Sequence, residues 1–224
     1  MACGDKKAAC RVAILDAELT VTMPAVVTAT TGIDAISHAL ETAVTTRRND
    51  VSAVLSREAW KMLAAAFPRV VRNGADLTAR ERMLYGAHLA GAAIEQSMLG
   101  ATHALANPLS ARYGLTHGIA IGIMLPHVIR YNAQVVEDLY AGLVSDAGLD
   151  GERPAAEVLA EFVEHQRQEA GLPGSLAACK VQAENLDEMA QEASEQWTGQ
   201  FNPRPVTVET LRELYLCAFS ADSS

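Results

Sequence analysis

Three of the chain's six histidines fall in one largely apolar stretch, Gly100 to Asn132, which reads GATHALANPLSARYGLTHGIAIGIMLPHVIRYN. They are His103, His117 and His127. Neutral imidazole is the commonest protein metal ligand, and burying it without a partner is costly. Upstream, TTGIDAISHALETA sets Asp34 four residues before His38. On a helix that spacing puts both side chains on one face, one turn apart. Asp34, His38, His103 and His117 together offer one carboxylate oxygen and three imidazole nitrogens, a donor set that suits Zn²⁺ or Fe²⁺. Spacing alone leaves a second reading open, in which each histidine is a core residue hydrogen-bonded to a carbonyl.

The elements that would hold these residues are nearly all helical. Pro24 suits the first turn of a short helix, Gly32 interrupts it, and a second helix carries Asp34 and His38 to about Thr45. Asp50 is placed to cap the next helix, which should stop at Pro68. The run Thr78-Ala-Arg-Glu81 has the form of a capping box opening an Ala/Gly-rich helix to about Met98. Helices are expected over Gly100–Tyr113, with Pro108 as a kink, from His117 to about Asn132, and from Ala133 to Val144. Pro154 to Ala170 is amphipathic and ends at Gly171, Asn185 caps a helix to about Trp197, and Thr207 caps a last helix to Phe219. Before all of these, Val12 to Leu15 reads as a short strand with no partner of its own quality in the chain. Such a strand either pairs with something outside the chain or frays.

The 224 residues are 50% hydrophobic and 5% aromatic, enough for one sizeable core. A net charge of −9 and a pI near 5.1, with no basic stripe, exclude a nucleic-acid surface. The longest apolar run, His117 to Ile129, is broken by Gly118, Gly122 and Pro126 and falls short of the roughly 18 residues of a membrane span. The N-terminus lacks the apolar core of a secretory signal, and Cys3, Cys10, Cys179 and Cys217 lack zinc-site spacing. The expectation is a cytoplasmic protein with reduced thiols, contacting neither membrane nor nucleic acid.

TTGIDAISHALETAV, followed by the histidine-bearing stretch, resembles the metal-binding helical domain of the iron-containing (group III) alcohol dehydrogenases. The likeness runs from about Val12 through MPAVVTATTGIDAISHALE to the tail TGQFNPRPVTVETLRELYLCAF. It implies an all-α fold, the helical C-terminal domain of the dehydroquinate synthase-like architecture. Residues 1–20 would be a remnant of an N-terminal α/β cofactor domain and residues 21–224 the helical metal- and substrate-binding domain. The aspartate and histidine of the family's GxDAxxHAxE correspond to Asp34 and His38. The first histidine of H-A-x-x-[HN]-P-L corresponds to His103, and that of the following H-G to His117. All four would hold Fe²⁺ or Zn²⁺.

The implied reaction interconverts an alcohol and an aldehyde or ketone by metal-assisted hydride transfer, with NAD or NADP bound mainly by the other domain. Asn107 stands where many members carry a second histidine near the nicotinamide. An amide there cannot relay a proton near neutral pH. No glycine-rich pyrophosphate turn precedes Val12, so the chain is expected to be catalytically incomplete by itself. Its partners would be a small alcohol or carbonyl compound and other copies of itself. Two other functions fit the same residues: a metal-binding helical or interaction module without turnover, and a metal-dependent hydrolase, which would need a general base that the sequence does not supply. His127, His88 and His165 are expected to be structural or solvated, Arg204 to order its loop, and Glu41 to lie behind the ligands or at the surface.

Overall fold

The computed structural model describes residues 11–220. Among them are eight α-helices: α1 (Ala25–Val44), α2 (Asp50–Arg72), α3 (Leu77–Gln96), α4 (Ala101–Tyr113), α5 (His117–Asp146), α6 (Ala155–Glu169), α7 (Leu186–Ser194) and α8 (Val208–Phe219). Short 3₁₀ turns lie at Glu18–Thr20, Ala183–Asn185 and Trp197–Phe201. The fold is all-α, and no strand occurs among the described residues. Val12 to Leu15 is irregular rather than a strand, with Val12 and Ile14 exposed. The physical reason is the one the sequence suggests: a ladder needs a second edge, and the described residues offer none.

Several boundaries differ from expectation because packing and capping override local signals. Gly32 does not interrupt α1, which is continuous with the Phe67 ring packed beside that glycine. Asn49, not Asp50, caps α2, accepting from the backbone N–H groups of Val51 and Ser52. Pro68 lies inside α2, which runs on to Arg72. Asp76 caps α3 through the N–H of Ala79, so Thr78 sits within the helix. The two helices expected between His117 and Val144 are present within the span named α5 and meet at a kink at Val136, a few residues later than the expected boundary at Asn132. Asn185 precedes α7 without a side-chain cap, whereas Thr207 does cap α8 in a reciprocal pair with Thr210. Gly171 follows α6 in the left-handed region, as its position predicts.

The core gathers around α1, which packs against α2, α3 and α5. Ile33, Ile36, Leu40, Trp60, Phe67, Leu105, Ile121 and Tyr140 are among its fully buried side chains. Burying groups of this size contributes about 1.5–3 kcal/mol each by area, which is what allows α1 to carry polar ligand-type side chains as well. Contrary to the sequence expectation, α5 is long and apolar enough to cross a membrane by length and composition; 61% of its most apolar window is buried within the fold. Cys179 and Cys217 are free thiols; Cys3 and Cys10 lie outside the described residues.

Candidate metal centre

Asp34 and His38 project from one face of α1, as the four-residue spacing requires, with Oδ1 of Asp34 3.4 Å from Nε2 of His38. His103 comes from the first turn of α4 and His117 is the first residue of α5. Their Nε2 atoms both lie 3.6 Å from the same Asp34 oxygen. The His38 and His103 rings stack at 5.0 Å between centroids, and His103 and His117 lie 5.3 Å apart. Donor atoms of Asp34, His103 and His117 fall within 4.8 Å of one another. The convergence depends on a close crossing of α1 and α5. A Cβ at Gly118 would overlap the Thr30 carbonyl, so only glycine lets the start of α5 press against the α1 backbone.

These spacings fit a shared ion better than a hydrogen-bonded cluster. Hydrogen bonds of this type are about 2.7–3.2 Å long, shorter than the separations seen. Two donors each ~2.1 Å from one tetrahedral ion stand ~3.4 Å apart. The buried atoms Asp34 Oδ1 and His103 Nε2 also lack any hydrogen-bond partner, a costly condition for polar groups unless something else satisfies them.

The electrostatics are those of a carboxylate among imidazoles. Burial pushes the Asp34 carboxyl up, but His103, His38 and His117 override this and leave it below the usual aspartate range. Burial drives His38 down to about 4 despite Asp34 beside it, and His117 downward as well. Burial acts the same way on His103, yet the Glu41 and Asp34 carboxylates outweigh it and raise it to about 9. Glu41 itself is buried; His103 overrides the upward push of burial and holds its carboxyl low.

The remaining sequence candidates fall elsewhere. Asn107 lines an open cleft of about 780 Å³ that reaches His117 and is also bordered by Ser110, Arg112, Glu192 and Gln196. Its side-chain amide donates to Gln196 Oε1 at 2.9 Å. His127 is half-buried on α5, whereas His88 and His165 are exposed. Arg204 stacks on the Tyr131 ring at 3.9 Å and donates to the Tyr131 carbonyl, which ties its loop to α5. Sequence reasoning missed a buried amide pair behind the site, Asn132 and Asn202, joined at 2.7 Å. Asn202 Oδ1 also accepts from the Ala101 N–H at the start of α4. The only signal for it was its place in the tail segment FNPRP.

Comparison with known proteins identifies the family and the fold. The model of the Fe-containing alcohol dehydrogenase family, C-terminal region, matches residues 28–219. The NAD-dependent methanol dehydrogenase of Bacillus methanolicus is 35% identical over 64% of this chain and 38% of its own length. The 1,3-propanediol dehydrogenase of Klebsiella pneumoniae is 36% identical over 61% of this chain and 35% of its own. This chain therefore spans well under half the length of these relatives. Among solved structures, a 1,3-propanediol oxidoreductase superposes with a TM-score of 0.86 at 31% identity, covering 91% of this chain and 55% of that one. An alcohol dehydrogenase from Oenococcus oeni gives 0.87 at 29% identity, covering 91% and 54%. With nearly its whole length matched by the family's C-terminal model and by these helical domains, the chain belongs to the iron-containing alcohol dehydrogenase family.

Proposed function

We propose that the chain is the metal- and substrate-binding part of an NAD(P)-dependent alcohol dehydrogenase, with Asp34, His38, His103 and His117 holding Fe²⁺ or Zn²⁺. The observation that carries this reading is the single Asp34 oxygen set 3.4–3.6 Å from three imidazole nitrogens. When bound, the metal supplies Lewis acidity at the substrate oxygen and the nicotinamide exchanges hydride with the substrate carbon. The protein's own part is placement. His103 and Asp34 hold the inner side of the site, while His117, 38% exposed by its side chain, meets the open cleft. A small alcohol or carbonyl compound would enter from that cleft. Asn107, engaged with Gln196 and without useful proton affinity, orients and does not relay protons.

In this reading the nicotinamide is held largely by residues of a cofactor domain outside this chain. The test is nicotinamide reduction by simple primary alcohols and diols, with Fe²⁺ or Zn²⁺ and NAD⁺ or NADP⁺, for this chain and for a protein extended upstream. We expect turnover in the extended protein and little in the chain alone, because holding the reactants in near-attack geometry supplies much of the rate. Equal turnover would place the cofactor site within these 224 residues. Metal binding without turnover in either protein would favour a non-catalytic metal-binding module.

A further inference from the structure

We propose that Glu41 is the positioning residue of the metal centre, fixing both the ring of His103 and the Thr102 backbone just before it so that the His103 Nε2 faces Asp34. This rests on the reading of Asp34, His38, His103 and His117 as metal ligands. Glu41 lies three residues after His38, so α1 presents Asp34, His38 and Glu41 in one stripe along its face. The side chain is 5% exposed, and both carboxylate oxygens are engaged with the first turn of α4. Oε2 lies 2.6 Å from Nδ1 of His103, and Oε1 accepts from the Thr102 N–H at 2.7 Å. A carboxylate only accepts hydrogen bonds. The proton in the short contact therefore sits on Nδ1, so Nε2 is the ring nitrogen that faces Asp34 and would meet a metal ion there, which takes the place of any proton on it. That atom is one of the two orphaned buried donors of the site.

The second oxygen does separate work. Helix α4 begins at Gly100, which has no side chain to cap it. Two distant residues satisfy its first N–H groups: Asn202 takes Ala101 and Glu41 takes Thr102. A Cβ at Gly100 would stand 3.0 Å from Asn202 Oδ1 and 3.1 Å from Glu41 Oε1, so the residue at this position has to be small for both caps to reach. Asn202 bonds the helix start, Asn132 and Arg204, whereas Glu41 bonds the helix start and the imidazole together. That difference separates positioning from mere capping.

The experiment compares Glu41→Gln with Asn202→Ala, using Zn²⁺ alone as the probe. Glutamine keeps the shape and can still accept from Thr102, but it sets an amide N–H₂ against Nδ1 and so favours the wrong tautomer. Zinc affinity by chelator competition should fall about 10- to 100-fold in Glu41→Gln, while Asn202→Ala lowers the unfolding midpoint with affinity near wild type. In parallel, ¹⁵N spectra of histidine-labelled wild-type protein with Zn²⁺ should show His103 protonated at Nδ1 and metal-bound through Nε2. That measurement needs no variant, so it decides the matter even if Glu41→Gln fails to fold. Wild-type zinc affinity in Glu41→Gln, an equal loss in both variants, or zinc on Nδ1 would overturn the proposal. A wild-type chain that retains no zinc would instead remove the metal-site reading beneath it.

Discussion

His117 Nε2, on the first residue of α5, stands 3.6 Å from Asp34 Oδ1 on α1, and the contact exists because the two helices touch backbone to backbone at Gly118 and Thr30. One glycine thus links a packing detail to the composition of the site.

The first prediction follows from that contact. Gly118→Ala should destabilise the fold by about 1–3 kcal/mol through overpacking, although alanine is the better helix former by about 1 kcal/mol. Zinc affinity should drop with it, since α5 must move away from α1 and take His117 along. Urea unfolding midpoints and zinc retention on the same samples check both parts. A variant that is more stable and binds zinc normally would mean that the close crossing is absent in solution.

Removing a ligand should cost far more than removing an unrelated imidazole. His38→Ala should lose most of its metal on dialysis, whereas the exposed His165→Ala should match wild type. Metal content per chain is the readout, and equal retention in the two variants would dismiss the assignment of His38.

Stability should depend on pH through His127. Burial first, then the Arg130 and Arg167 guanidinium groups, push its imidazole down to about 4, with Glu164 opposing. Arg130 shares α5 with it, and Glu164 and Arg167 face it from α6. The folded state therefore binds this proton less readily than the unfolded chain does. Its contribution is fully present above about pH 6.5 and is lost as pH falls from about 6.5 towards 4, by at most about 3 kcal/mol. Denaturant unfolding of wild type and His127→Gln between pH 4.5 and 7 should show a shallower dependence in the variant. Parallel curves would rule out the buried neutral imidazole.

Trp60 should be the most sensitive core position on α2. It is fully buried, meets Phe162 edge-on at 5.3 Å and donates to the Leu143 carbonyl at 2.7 Å. Trp60→Ala should cost about 3–5 kcal/mol, and Trp60→Phe, which mainly loses the hydrogen bond, about 1–2 kcal/mol. Similar losses from both would show that the indole N–H matters more than the volume.

Much about this protein is local and can therefore be read from its residues in order. The four-residue spacing of Asp34 and His38 decides that they share a face of α1, because helical periodicity needs no tertiary partner. Thr207 caps α8 and Gly171 ends α6 for the same reason: each acts on backbone groups a few residues away. The all-helical class follows from such signals, and the family resemblance from the motifs around them.

What the tertiary structure decided depends on groups far apart in the chain. Pro68 and Gly32 stay inside helices because packing outweighs their local cost. Val12 to Leu15 forms no strand because pairing takes two edges. The meeting of α1, α4 and α5 at one carboxylate oxygen rests on the space left by Gly118. For Glu41 the sequence left two places open, behind the ligands or at the surface, and only burial decided for the group behind His103, since a carboxylate removed from water must find its hydrogen bonds inside the protein.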